Sequence, residues 1–306
     1  MKVLVATEKP FSKVAVDGIQ KIVEGAGYTF AKLEKYASPA ELLAAVADAD
    51  ALIVRSDKVT KEVVDAAKNL KIVVRAGAGY DNLDLAACSE RGIVAMNTPG
   101  QNSNAVAELA LCMMVYISRN QFTPGTGSEL KGKTLGIQAY GNVGRLVASL
   151  AKGFGMKIMA FDPFVPAEKM VAEGVEVAKD LNELYSKSNF VSLHIPATEQ
   201  TKGSIGAALL KEMPKGGCLV NTARKEVINE AELMQVLGER EDLKYITDVA
   251  PANYAELKEK FGNRVFATPK KMGAETAEAN INAGLAAANQ IVDFFTTGNK
   301  RFQVNK

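Results

Sequence analysis

Strand and helix segments alternate along this sequence, the strands are short, apolar and rich in β-branched residues, and one of them runs through a glycine turn into a helix. These observations predict an α/β protein whose parallel sheets carry helices on both faces, because strands without a polar face cannot border solvent. At 306 residues the chain is long enough for two such domains of about 150 residues each.

The first hundred residues set the pattern. KVLVAT is the first strand, and YTFAKL, ALIVRS, KIVVRA and GIVAMN follow, separated by helices expected over 14–25, 39–47, 61–67 and after Asp84. Asn97-Thr98-Pro99-Gly100 breaks the alternation. Beyond it, a helix over 105–117 is apolar nearly all round and reads as buried. TPGTGS (123–128) is a loop, after which NFVSLHIP, GCLVNTAR, KYITDVA and NRVFATP are further strands with polar residues at their carboxyl ends. The last helix, 276–295, is long enough to return to the first domain. The expected division is 1–98 plus 276–306 in one domain and 99–275 in the other, with a cleft between them.

KTLGIQAYGNVGRLVASLAKGFGMKIMAFD (133–162) reads as strand, glycine turn, helix, strand and acidic stop. Tyr140, Gly141, Asn142, Val143 and Gly144 form the turn, whose backbone can approach a pyrophosphate while the first N–H groups of the next helix point at the same anion. Asp162, 18 residues after Gly144, stands where a carboxylate accepts the hydroxyls of an adenosine ribose. Pro163-Phe164-Val165 offers no cation for a 2′-phosphate, so the expected cofactor is NAD and both domains read as Rossmann-like. Ala139 replaces the first glycine of G-x-G-x-x-G, so the turn must tolerate a Cβ there.

A net charge of +2 with well-mixed signs gives no electrostatic basis for binding nucleic acid or a membrane surface. No apolar run reaches the roughly 20 residues that span a bilayer. Cys88, Cys112 and Cys218 are scattered, which fits a reducing cytoplasm and offers no metal site. The chain opens directly on a strand, with no signal-peptide pattern.

Six segments in order, RAGAGYDNLDLAA (75–87), NTPGQNSNAVAE (97–108), LGIQAYGNVGR (135–145), SLHIPATEQTKG (192–203), NTARKEVINE (221–230) and TPKKMGAET (268–276), resemble the D-2-hydroxyacid dehydrogenases over essentially the whole chain. The resemblance implies hydride transfer between NAD and the C2 of a hydroxyacid. ALIVRSDKVT (51–60) is similar to the branch that oxidises D-3-phosphoglycerate to 3-phosphohydroxypyruvate, the first step of phosphorylated serine synthesis. By the same resemblance Arg224 clamps the substrate carboxylate and carbonyl oxygen, a bidentate task suited to guanidinium. Arg55, Ser56, Lys58, Gly77, Asn102 and Ser103 would form the substrate pocket. Ala78, His194, Ile195, Pro196, Thr201, Thr222, Ala223, Asp248, Gly273 and Ala274 would line the cofactor. His194, the one histidine, would pack there without moving protons.

At one point the sequence departs from the family, most of whose members use a histidine in T-P-H-x-G-A with a supporting Glu. Here the segment is Thr268-Pro269-Lys270-Lys271-Met272-Gly273-Ala274, and no Glu follows Asp248-Val249. Counting back from Gly273 places Lys271 at the histidine position, whereas counting forward from Thr268 places Lys270 there; Lys271 is the preferred proton carrier. With an ordinary pKa of about 10.4, roughly one lysine in a thousand is neutral near pH 7.4, so a general base needs a downward shift of about two units, or about 3 kcal/mol. As an ammonium donating to a forming alkoxide it needs none.

The short loop over 120–130 and the lack of Trp set aside the longer family segment that reaches a partner's site. No regulatory domain is expected after the last helix, and the helix from Asn104 resembles the family's dimer-forming element, which implies a homodimer. Two other readings stay open: a reductase of glyoxylate or hydroxypyruvate, which needs no phosphate clamp, and a non-catalytic NAD(H)-binding sensor or scaffold.

Overall fold

A computed structural model describes residues 1–306 and divides them into two compact units, Met1–Asn102 with Glu275–Lys306, and Ser103–Ala274. The first cut falls four residues beyond the expected 98/99, where Thr98 N–H still bonds to the Gly77 carbonyl.

The first unit is a five-stranded parallel sheet of β1 (Lys2–Thr7), β2 (Thr29–Glu34), β3 (Ala51–Val54), β4 (Ile72–Arg75) and β5 (Val94–Asn97), in the order β2-β1-β3-β4-β5. Alternation of side chains across each strand makes two cores. Val3, Val5, Ile53 and Val74 face α1 (Lys13–Gly25) and α12 (Ala277–Thr297). Leu4, Ala6, Leu52 and Val73 face α2 (Pro39–Val46), α3 (Lys61–Ala66) and α4 (Leu85–Glu90). Asp84 caps α4 through the Ala87 N–H.

The second unit begins with α5 (Ser103–Ser118) and builds a seven-stranded parallel sheet from β6 (Thr134–Gln138), β7 (Lys157–Phe161), β8 (Glu176–Val177), β9 (Phe190–Leu193), β10 (Cys218–Asn221), β11 (Lys244–Thr247) and β12 (Val265–Ala267). Its order is β12-β11-β10-β9-β6-β7-β8. The chain builds outward from β6 through β7 to β8, then crosses to β9 and builds the other way. Ligands of open α/β sheets bind at such a reversal, outside the carboxyl ends of the strands. α5 and α6 (Asn142–Gly153) cover one face. The opposite face carries α8 (Leu181–Lys187), α9 (Ala207–Leu210), α10 (Glu230–Glu239) and α11 (Tyr254–Phe261), while α7 (Ala167–Ala172) joins β7 to β8. β8 is too short, at two residues, to produce a readable period in the sequence. No helix is long and apolar enough to cross a membrane.

Candidate functional site

Asp162, His194, Thr222 and Asp248, expected near the cofactor, each lie just past the carboxyl end of a strand, and backbone hydrogen bonds fix several strand ends there. Ala139 N–H bonds to the Phe161 carbonyl, His194 N–H to Gln138, Asp248 N–H to Asn221 and Thr268 N–H to Thr247. The strand ends of β6, β7, β9, β10, β11 and β12 thus carry the candidate residues on one edge of one sheet.

The glycine turn fits a pyrophosphate. Gly141 is the N-cap of α6 with no side chain capping the helix, so the first amides of α6 are left for an anion. A Cβ on Gly141 would meet nothing within 4 Å, whereas one on Gly144 would overlap the carbonyl oxygen of Ala139. Ala139 itself adopts φ +74, a left-handed conformation that costs an L-residue about 1–2 kcal/mol.

Asp162 accepts the Tyr140 N–H at 2.7 Å and the Phe164 N–H at 2.8 Å, one on each carboxylate oxygen. Each oxygen keeps a lone pair for a ribose hydroxyl. The residues after it, Pro163 and a 92 % exposed Phe164, present no cation. Of the turn residues, Tyr140 turns its side chain inward. Its side chain is 1 % exposed, and its hydroxyl donates to Glu173 Oε2 at 2.9 Å. Burial first, then Glu173, push the phenol up to about 12. Its backbone N–H and its hydroxyl are therefore both engaged within the protein.

His194 lies against Ser192, with Nε2 at 3.0 Å from the serine hydroxyl. Burial pushes its pKa down to about 4, so the ring is neutral near pH 7. Ile195 is buried and Pro196 exposed. Thr201 holds this loop by donating to the Pro196 carbonyl at 2.5 Å and accepting the Thr198 N–H at 2.7 Å.

After β10, Asn221 shapes the turn into Arg224. Its Oδ1 accepts the Ala223 N–H at 2.9 Å and its Nδ2 donates to the Arg224 carbonyl at 2.9 Å. The Arg224 guanidinium is half-buried and donates from Nη1 to the Ala223 carbonyl at 2.9 Å. Thr222, 6 % exposed, has a buried hydroxyl with no hydrogen-bond partner. A bound ligand at these strand ends would satisfy it.

Asp248, just past β11, has its carboxylate engaged within the unit. It is 1 % exposed, and its carboxylate accepts the Thr268 hydroxyl at 2.7 Å, the Met272 N–H at 2.9 Å and the Gly273 N–H at 2.8 Å. It fastens the loop that carries Lys270 and Lys271. Gly273 is buried under that clamp and Ala274 is half-buried, while both lysines are exposed.

In the first unit the segment after β3 alternates. Asp57 is buried, whereas Ser56 and Lys58 are exposed. Asp57 accepts the Glu8 N–H at 2.6 Å and the Tyr36 hydroxyl at 2.8 Å, and Asn82 Nδ2 donates to the Asp57 carbonyl at 2.7 Å. Arg55, expected in the substrate pocket, follows β3 and is half-buried. Its guanidinium donates to the Lys9 and Pro10 carbonyls at 3.2 Å and to Asn280, over the Phe11 ring. Arg75, which the motif reading passed over, extends its guanidinium over Gly77, where a Cβ would collide with it. An arginine ending a parallel strand is the signal that could have found it. Ala78 is exposed, and its carbonyl accepts Asn97 Nδ2 at 2.6 Å. Asn102 is half-buried, and Ser103 is buried at the first position of α5. No group of three or more His, Cys, Asp or Glu is placed to hold a metal ion.

Residues 111–270 match the family described as D-isomer specific 2-hydroxyacid dehydrogenase, NAD binding domain. The chain is 38 % identical over 270 residues to D-3-phosphoglycerate dehydrogenase of Methanocaldococcus jannaschii, covering 82 % of this chain and 51 % of that protein. It is also 38 % identical to hydroxypyruvate reductase of Thermotoga maritima, over 82 % of this chain and 86 % of that one. Cofactor (NAD+)-bound 3-phosphoglycerate dehydrogenase from Entamoeba histolytica is a solved structure with 51 % identity and a TM-score of 0.89, covering 100 % of this chain and 99 % of that one. The chain spans about half the length of several curated phosphoglycerate dehydrogenases it matches.

Proposed function

Because the chain belongs to the D-isomer specific 2-hydroxyacid dehydrogenases, whose NAD-binding domain its second unit contains, we propose that it oxidises D-3-phosphoglycerate to 3-phosphohydroxypyruvate. The observation that carries this reading is the 51 % identity, over the whole chain, to the NAD+-bound 3-phosphoglycerate dehydrogenase of Entamoeba histolytica. Exposed Ser56 and Lys58 on a loop braced by Asp57 and Asn82 support it, since a phosphate needs a fixed polar and cationic surface.

NAD, when bound, supplies the acceptor for the hydride leaving C2. Asp162 orients the adenosine ribose, and the amides of the Gly141–Gly144 turn hold the pyrophosphate. Arg224 binds the substrate carboxylate and the C2 oxygen through its fork of donors. Lys271 takes the hydroxyl proton during oxidation and returns it from its ammonium during reduction. Asp248 keeps that lysine's loop in place.

NADH formation from D-3-phosphoglycerate, followed at 340 nm, tests the reading; turnover with another 2-hydroxyacid and none with phosphoglycerate would overturn it. The match to hydroxypyruvate reductase over 86 % of that protein favours a second reading, reduction of an unphosphorylated oxoacid. Lys58→Ala separates the two, since it raises KM at least about tenfold for a phosphorylated substrate only. A homodimer in a reducing cytoplasm completes the reading. It is supported by the dimer-forming resemblance of α5, by exposed Phe122 and Phe154, and by three cysteines that form no disulfide. Sedimentation velocity at micromolar concentration tests the dimer.

A further inference from the structure

The turn that offers its amides to a pyrophosphate rests on a left-handed alanine, and the residue after it is fastened at both ends. Ala139 has φ +74 where a glycine would be unstrained. Helix α6 starts so close that Gly144 packs on the Ala139 carbonyl, which ties the helix start to that conformation. Tyr140 N–H donates to Asp162 Oδ2 at 2.7 Å, and Tyr140 hydroxyl donates to Glu173 Oε2 at 2.9 Å. Glu173 in turn pairs with Arg145, one residue past Gly144 on α6. One carboxylate therefore holds both the strand exit and the helix start.

We propose that Tyr140 is a positioning residue for NAD: through hydrogen bonds to Glu173 and Asp162 it holds Ala139 in the left-handed conformation, and so keeps the α6 amides and the Asp162 carboxylate in register with the dinucleotide. Its ring is 1 % exposed and cannot touch a ligand, so its effect passes through the backbone. The same Tyr140 N–H orients the carboxylate that reads the ribose, which couples the two halves of the cofactor site. A sequence with glycine at 139 would need no such anchor.

The inference rests on NAD binding by this unit and not on the identity of the hydroxyacid. Fluorescence titration of the full chain with NADH, with melting temperature measured in parallel, tests it. Tyr140→Phe keeps the ring and removes the hydroxyl; NADH affinity is expected to fall about tenfold, the weight of one hydrogen bond to a charged group. Ala139→Gly alone leaves it within about twofold, and Ala139→Gly with Tyr140→Phe recovers to within about twofold of the parent. A folded Tyr140→Phe protein with parental NADH affinity overturns the proposal. So does a double variant as weak as Tyr140→Phe alone, because a purely structural tyrosine would not be rescued at position 139. If Tyr140→Phe does not fold, Glu173→Gln with and without Ala139→Gly carries the same expectations. A parent that binds NADH but turns over no phosphoglycerate would sink the proposed reaction and leave this inference standing.

Discussion

Asp248 Oδ2 accepts the backbone N–H of Gly273 at 2.8 Å, and this bond with its Met272 neighbour ties the loop bearing Lys270 and Lys271 to the end of strand β11. A carboxylate can accept from several donors at once, whereas an amide has one accepting atom and would face these N–H groups with its own. Asp248→Asn is expected to lower kcat at least about tenfold, with a smaller change in KM for NAD, and to cost about 2 kcal/mol of stability. Steady-state kinetics and urea unfolding check it; parental kcat would show that the clamp does not position the lysines.

Lys271→Ala is expected to lower turnover at least about a hundredfold, the scale of a lost general acid–base group. Lys270→Ala should cost less than about tenfold. Unchanged turnover in both variants would exclude a lysine proton carrier. A protein that binds NADH but turns over no hydroxyacid even before mutation would favour the sensor reading.

Thr222 holds an unpartnered hydroxyl at the end of β10. Removing an unsatisfied buried group is neutral or stabilising in the free protein, while removing a ligand's partner weakens binding. Thr222→Val is therefore expected to keep or raise the melting temperature and to weaken NADH by about fivefold or more. A loss of stability with unaltered NADH affinity would remove Thr222 from the cofactor site.

His194 makes folding sensitive to acid. Its pKa is about 4 in the folded chain against 6.5 unfolded, so between those values the unfolded chain binds the extra proton and stability rises with pH. The contribution is fully present above pH 6.5 and is lost as pH falls towards 4, by an amount on the order of 3 kcal/mol. Urea midpoints for the parent should fall across that window, and those of His194→Asn should fall less. Identical pH profiles would contradict the assignment.

Much of the fold was readable because it rests on local periods. Val3 and Leu4 already belong to opposite faces by alternation, and β6 to β7 follows from apolar runs, a glycine turn and an acidic stop. The two-residue β8 carried no period. The site was readable as a set of strand-end residues, since polar side chains after apolar runs mark the carboxyl edge of a parallel sheet. Their individual tasks were not. The Arg55 guanidinium is held by Lys9, Pro10 and Asn280, partners that no local pattern brings to it.

By itself the sequence determined the α/β class, the dinucleotide turn, the preference for NAD in the residues after Asp162, and the paired lysines at 270 and 271. Only the tertiary structure decided that Asp248 faces Met272 and Gly273, that Tyr140 turns inward to Glu173, and that Asp57 braces the loop bearing Lys58. The reason is physical: a carboxylate or guanidinium has a small number of bonding positions, and which are taken depends on donors and acceptors brought from distant segments by packing, which no local pattern encodes.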